Sequence, residues 1–91
     1  MPAVLIFIDG TICDTRHRHH LIGTPDFHQH QHVIKDLPVP GSVESLLELT
    51  KFYELVYIGA RPQSAEPATR DWLTIKGYPH GEILLHEDQS V

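Results

Sequence analysis

The stretch Ala3-Val4-Leu5-Ile6-Phe7-Ile8-Asp9-Gly10-Thr11 decides the fold. From Ala3 to Ile8 it is an unbroken apolar run rich in β-branched side chains. Continuity without alternation predicts a strand buried on both faces, as in a parallel sheet covered by helices. Asp9-Gly10-Thr11 stops the run, and Gly10 permits a sharp exit. Two further apolar runs follow: Leu55-Val56-Tyr57-Ile58, ending at Gly59, and Ile83-Leu84-Leu85.

Helical patterns separate these runs. Val43, Leu46, Leu47 and Thr50 recur at i, i+3, i+4 and i+7, with Ser42 as the expected cap and Glu44 and Ser45 in the first turn. Ala65, Ala68, Thr69, Trp72 and Leu73 share a second apolar face, so Trp72 reads as core. Ser64 is the expected cap there, Pro67 is tolerated in the first turn, and Gly77 is placed as a left-handed terminator. Residues 14–41 are polar, His-rich and broken by Gly23, Pro25, Pro38, Pro40 and Gly41, with a short helix expected over 27–34. Strands alternating with helices predict parallel pairing. The expected fold is α/β: a partial Rossmann-like, parallel three-stranded sheet with flanking helices and a short His-rich insert after the first strand.

Composition narrows the class. A chain of 91 residues supports one small domain, and 41% hydrophobic content with a net charge of -5 argues against a disordered chain. A single cysteine, Cys13, allows no internal disulfide and suits a reducing, cytoplasmic setting. No apolar run approaches the roughly 20 residues that span a bilayer, so no membrane role is expected. Seven basic against twelve acidic residues argue against a broad nucleic-acid surface, leaving Arg16-His17-Arg18-His19-His20 as the local basic cluster.

In open α/β sheets, ligands bind beyond the carboxyl ends of the strands. Asp9-Gly10-Thr11, Gly59-Ala60-Arg61-Pro62 and His86-Glu87-Asp88 converge there. A carboxylate, a hydroxyl, free backbone N–H groups and an arginine suit a phosphate with a divalent metal. The same residues also read as turn punctuation, Arg61 as a carbonyl cap or partner of Glu66, and Glu87 and Asp88 as a frayed tail.

The segment Leu5–Thr15 resembles the first motif of the haloacid dehalogenase (HAD) superfamily of phosphohydrolases: a hydrophobic strand, then Asp-x-Asp-Gly-Thr. Val56-Tyr57-Ile58-Gly59-Ala60-Arg61-Pro62, with Asp71-Trp72-Leu73 and Lys76-Gly77-Tyr78-Pro79, is similar to the second-motif region. Arg16–Leu21 and Asp26-Phe27-His28 resemble the insert of a subgroup related to the phosphatase domain of polynucleotide kinase. The resemblance implies a Mg²⁺-dependent phosphomonoesterase acting on a phosphorylated small molecule or a nucleic-acid end. It assigns Asp9 as acid/base and metal ligand, Thr11 as an assisting catalytic residue, and Gly10, Gly59 and Arg61 to substrate phosphate.

Four departures qualify it. Asp9 aligns with the second aspartate of the motif, and the position of the first, the nucleophile, is Phe7. A phenyl ring cannot attack phosphorus or ligate Mg²⁺. Gly59 stands where the family has threonine, and Ala60 where it has glycine. The chain reaches Val91 without the family's later lysine and acidic motifs, so the expectation is one truncated domain over residues 1–91, with 14–41 as a cap-like insert. Hydrolysis is expected to be impaired. The alternative is a non-enzymatic unit that homo-oligomerises through the open edge of the first strand.

His28, His30 and His32 alternate along the insert and would share a face on a strand, where imidazoles can hold Zn²⁺ or Ni²⁺. Because no cysteine or fixed carboxylate completes a defined coordination pattern, they read first as solvated insert residues that bind metal only adventitiously. Cys13 reads as an apolar filler.

Overall fold

The computed structural model describes residues 1–86. The chain runs β1 (Ala3–Phe7), β2 (Cys13–Asp14), α1 (His30–Val33), β3 (Leu37–Pro38), α2 (Ser42–Leu49), β4 (Glu54–Pro62), α3 (Glu66–Ile75) and β5 (Glu82–His86). Strands β1, β4 and β5 form the expected parallel sheet in the order β1-β4-β5. The most apolar strand, β1, therefore lies at an edge. Leu5 pairs with Val56 and Phe7 with Ile58, and a register shift between Gly59 and Pro62 marks the carboxyl end of β4.

Both crossovers step in one direction across the sheet. Right-handed connections then place α2 and α3 on the same face. The core confirms that placement: Ile6, Leu55, Tyr57 and Ile83 from the sheet cluster with Leu46 of α2 and with Ala68, Trp72 and Leu73 of α3. Trp72 is fully buried and stacks on Tyr78 at 5.1 Å between ring centroids.

The opposite face corrects the reading of the first run. Alternate side chains leave the core, so Leu5 is 60% exposed, Phe7 61% and Leu84 50%. The strand is buried on one face only. An apolar run cannot reveal this, because which faces are covered depends on the layers present and not on the strand.

Smaller corrections concern helix ends. The cap of α2 is Gly41, at φ +82°, and Ser42 is the first helical residue. The Ser42 hydroxyl donates to the Val39 carbonyl at 2.6 Å and meets the Tyr78 hydroxyl at 2.6 Å. The cap of α3 is Ala65, because a 3₁₀ turn over Gln63–Ala65 carries the chain past Ser64. Pro67 lies in the first turn and Gly77 adopts φ +86°, as expected. Leu47 is exposed, so the buried face of α2 centres on Leu46. The helix expected over 27–34 is two pieces, a 3₁₀ turn at Pro25–His28 and α1.

The insert is pinned at its base. Cys13 pairs with Pro38 and Asp14 with Leu37 in a two-residue antiparallel ladder. A 3₁₀ segment, Arg16–Leu21, buries Arg18 inside the loop so formed. Among the described residues no helix is long and apolar enough to cross a membrane.

Candidate functional site

The carboxyl ends of β1 and β4 bring Asp9 and Arg61 together. Beyond Phe7 the chain leaves the sheet in a tight turn. The Ile8 carbonyl accepts the N–H groups of Thr11 at 3.3 Å and of Ile12 and Cys13 at 3.0 Å. Gly10, at φ +83°, donates its N–H to the Cys13 carbonyl at 3.0 Å. The turn thus consumes the backbone donors that the sequence suggested for an anion.

The turn leaves the Asp9 side chain 39% exposed, while that of Arg61 is 1% exposed. Arg61 Nε donates to both Asp9 carboxylate oxygens at 3.2 Å, and Nη2 donates to Oδ1 at 2.6 Å. Nη1 donates to Thr69 Oγ1 at 2.8 Å, and Thr69 donates in turn to the Ala65 carbonyl at the start of α3. Burial works against the Arg61 charge. The hydrogen bonds and charge of Asp9, with Cys13 and Asp36 behind it, nonetheless hold its pKa above the usual arginine value.

A second ion pair lies behind the first. Arg18 and Asp36 are both fully buried. Arg18 Nε and Nη2 donate to the two Asp36 oxygens at 2.9 and 2.8 Å, and Nη1 donates to the Phe27 carbonyl at 2.7 Å. The Arg18 guanidinium stands 4.5 Å from the Phe27 ring centroid and 4.0 Å from Asp9 Oδ1. Asp36 also accepts the Cys13 thiol at 3.0 Å, and meets His17 Nε2 at 2.6 Å and Arg61 Nη2 at 3.5 Å. Its backbone carbonyl accepts the Trp72 indole N–H at 2.7 Å. Asp9, Arg61, Arg18 and Asp36 are one network in which each arginine already faces a carboxylate.

Asp36 had no signal in the sequence, since one aspartate at the end of a polar insert matches no motif. Arg18 was visible only as part of a basic cluster. Its burial follows from the pairing with Asp36, 18 residues away. Cys13 does have a basic neighbour, Arg61 at 3.4 Å. Burial and the Asp36 carboxylate still push its thiol pKa far up, so it is an unreactive core residue.

The other singled-out residues disperse. Thr11 is exposed on the turn. Gly59 packs against Ile8 and Leu85, where an added Cβ would lie 3.7 Å from each. His30 pairs with Asp71 at 3.0 Å, His32 lies 3.4 Å from Gln31, and His28 packs edge-on to Phe27 at 4.8 Å. His28 Nδ1 is buried without a partner, and its pKa is lowered by burial and then by the charges of Arg18 and Arg61. The three imidazoles do not converge because a 3₁₀ turn followed by one helical turn sends each in its own direction. Glu87 and Asp88 lie outside the described residues. Among the described residues no group of three His, Cys, Asp or Glu side chains could hold a metal ion. Mg²⁺ demands near-octahedral oxygen coordination, whereas Asp9 presents its oxygens to Arg61, so these residues do not fit the ion the resemblance implies.

A groove of about 430 Å³ runs beside the turn, lined by Gly10, Cys13, Asp14, Arg16, His19 and Pro40. Arg16 grips Asp14 through Nε and Nη2, the latter at 2.6 Å, and holds its carboxyl down at about 2.

These features define the class: a parallel α/β sheet with a carboxylate and an arginine at its carboxyl end. A stretch of 53 residues, 57% of this chain, is 43% identical to a Bacillus cereus protein described as "Putative nucleotidase". The chain spans a quarter of the length of that curated relative. No family model matches the chain, and no solved structure matches it.

Proposed function

We propose that this chain carries a phosphohydrolase-type site, built for the phosphate of a nucleotide-like phosphomonoester, in which hydrolysis is disabled. The single observation that carries this reading is the Asp9–Arg61 pair at the sheet's carboxyl end, preceded two residues earlier by Phe7. Asp9 is the acid/base of such a site, and Arg61 positions it. The groove beside Gly10 takes the rest of the substrate, with His19 and Thr15 on its wall. Phe7 provides no nucleophile, and both arginines are neutralised from within. A phosphate therefore has to compete with Asp9 for Arg61 and with Asp36 for Arg18, which weakens ground-state binding as well as chemistry.

Phosphate release from an aryl phosphate and from nucleoside monophosphates, with Mg²⁺ supplied, tests the reading. The expected rate is that of the Asp9→Asn variant, indistinguishable from background. Turnover abolished by Asp9→Asn, or a trapped aspartyl-phosphate or beryllofluoride adduct, would refute disablement. A specific observation also favours a non-enzymatic role by association, namely the exposure of Leu5, Phe7 and Leu84 on one face of the sheet among the described residues.

A further inference from the structure

The groove beside the Asp9–Arg61 pair constrains what a ligand carries next to its phosphate. Gly10 and Cys13 line it and join it to that pair: Gly10 follows Asp9, Cys13 forms an isolated β-bridge with Asp9, and the Cys13 sulfur lies 3.4 Å from Arg61 Nη2. At about 430 Å³ the groove falls within the range of small-molecule sites, about 300–1,000 Å³. We propose that Asp14, clamped by Arg16, is a specificity-determining residue that limits this groove to an uncharged group, so that the ligand is the monophosphate of a nucleoside-like molecule and neither a diphosphate nor a polynucleotide end. This specificity rests on the phosphate site proposed for Asp9 and Arg61.

Charge is the first ground. The Asp14 carboxylate accepts the Arg16 backbone N–H at 3.0 Å, Nε at 3.0 and 3.1 Å, and Nη2 at 2.6 Å. These bonds hold its carboxyl down at about 2, so it is ionised at neutral pH. Arg16 is thereby matched by a carboxylate, as Arg61 is by Asp9 and Arg18 by Asp36. His19, the other basic group lining the groove, meets the Thr15 hydroxyl at 2.8 Å. A second phosphate placed here meets a fixed negative charge and an arginine that already has its partner, and juxtaposed like charges suppress binding. A polynucleotide end fares worse, because holding each further phosphate takes an unpaired Lys or Arg.

Hydrogen-bonding sense is the second ground. An ionised carboxylate only accepts, and it offers about four lone-pair sites. The three N–H groups of Arg16 leave Asp14, 22% exposed, with room for one more donor. A sugar hydroxyl can donate to it, whereas a phosphate oxygen without a proton cannot. Val39 and Pro40 add apolar surface to the same groove. A nucleoside carries both parts, a hydroxyl-bearing sugar and a flat ring for the apolar lining.

A heteronuclear NMR titration of the whole chain with AMP, ADP, inorganic phosphate and a short single-stranded oligonucleotide carrying a terminal phosphate tests the proposal. AMP is expected to shift the Gly10 and Asp14 amide signals to saturation, with ADP and the oligonucleotide binding about tenfold weaker or more at low salt. Asp14→Asn releases Arg16 and is expected to narrow the ratio of the ADP and AMP dissociation constants. Arg16→Gln, at a side chain 83% exposed, uncovers the Asp14 charge and is expected to widen it. ADP or the oligonucleotide binding as tightly as AMP, or a ratio unmoved by both variants, overturns the specificity assigned to Asp14. Inorganic phosphate shifting Gly10 while AMP leaves both signals in place overturns the groove as the seat of the nucleoside. If neither inorganic phosphate nor AMP shifts either signal, the phosphate site itself is refuted, and the specificity with it.

Discussion

Replacing Asp36 with alanine removes the carboxylate that neutralises the interior of the insert. Arg18 loses the acceptors of Nε and Nη2 at 2.9 and 2.8 Å and keeps only the Phe27 carbonyl. The Cys13 thiol loses its acceptor, and His17 loses its buried partner. Arg61 is hurt less, because Asp9 and Thr69 remain in contact with it. The largest cost comes from a buried guanidinium left with only the distant Asp9 Oδ1, at 4.0 Å, as counter-charge, about 3–5 kcal/mol. A chain of this length has a total stability of about 5–14 kcal/mol at 0.05–0.15 kcal/mol per residue, so the variant is expected to lose from about a fifth of it to nearly all of it. Urea denaturation followed by Trp72 fluorescence and far-UV circular dichroism measures the loss. The indole reports locally, since its partner is the backbone carbonyl of Asp36, which the substitution retains. The double variant Arg18→Met/Asp36→Leu removes both charges and is expected to recover most of the loss, because an apolar pair of similar volume carries no desolvation penalty. A loss below about 1 kcal/mol in the single variant, a value typical of exposed pairs, would refute the description of this network as the buried anchor of the insert.

Two further outcomes follow from the same geometry. The His28 pKa is depressed in the folded chain by burial and by the Arg18 and Arg61 charges, so the unfolded state binds its proton more readily. Its contribution to stability is full above the ordinary value of 6.5 and is lost as pH falls from there through the folded value. An NMR titration is expected to place the His28 midpoint below 6.5, and a midpoint at or above it contradicts the burial argument. Cys13, buried with a raised pKa, is expected to react with a disulfide reagent only as fast as the fold opens. Reaction at the rate of a free thiol in native buffer would show that the base of the insert is open.

Much of the fold was legible because it rests on local chemistry. The three apolar runs became the three parallel strands, and glycines at Asp9-Gly10-Thr11 and Gly77 turned the chain where a positive φ was needed. The second helical face was right at Ala68, Thr69, Trp72 and Leu73, since a period of 3.6 residues fixes which side chains share a surface. Helix caps were less legible: Ser42 and Ser64 have the right side chains, but Gly41 and the 3₁₀ turn before α3 took the capping positions. At the site, the convergence of Asp9 and Arg61 followed from strand order, because parallel strands bring their carboxyl ends together. Their direct pairing did not follow, and neither did Asp36, whose side-chain partners are Cys13, His17 and Arg18 about twenty residues before it and Arg61 at the end of β4.

By itself, then, the sequence determined the elements, their parallel pairing and the absence of a carboxylate at position 7, all properties of single residues or of their spacing. Only the tertiary structure decided that Arg61 grips Asp9, that Arg18 is buried against Asp36 and that, among the described residues, Leu5, Phe7 and Leu84 stand exposed on one face of the sheet. The physical reason is range. Strand and turn preferences act over a few residues, whereas the partner of a buried charge and the covering of a sheet face are set by segments that meet only once the chain has folded.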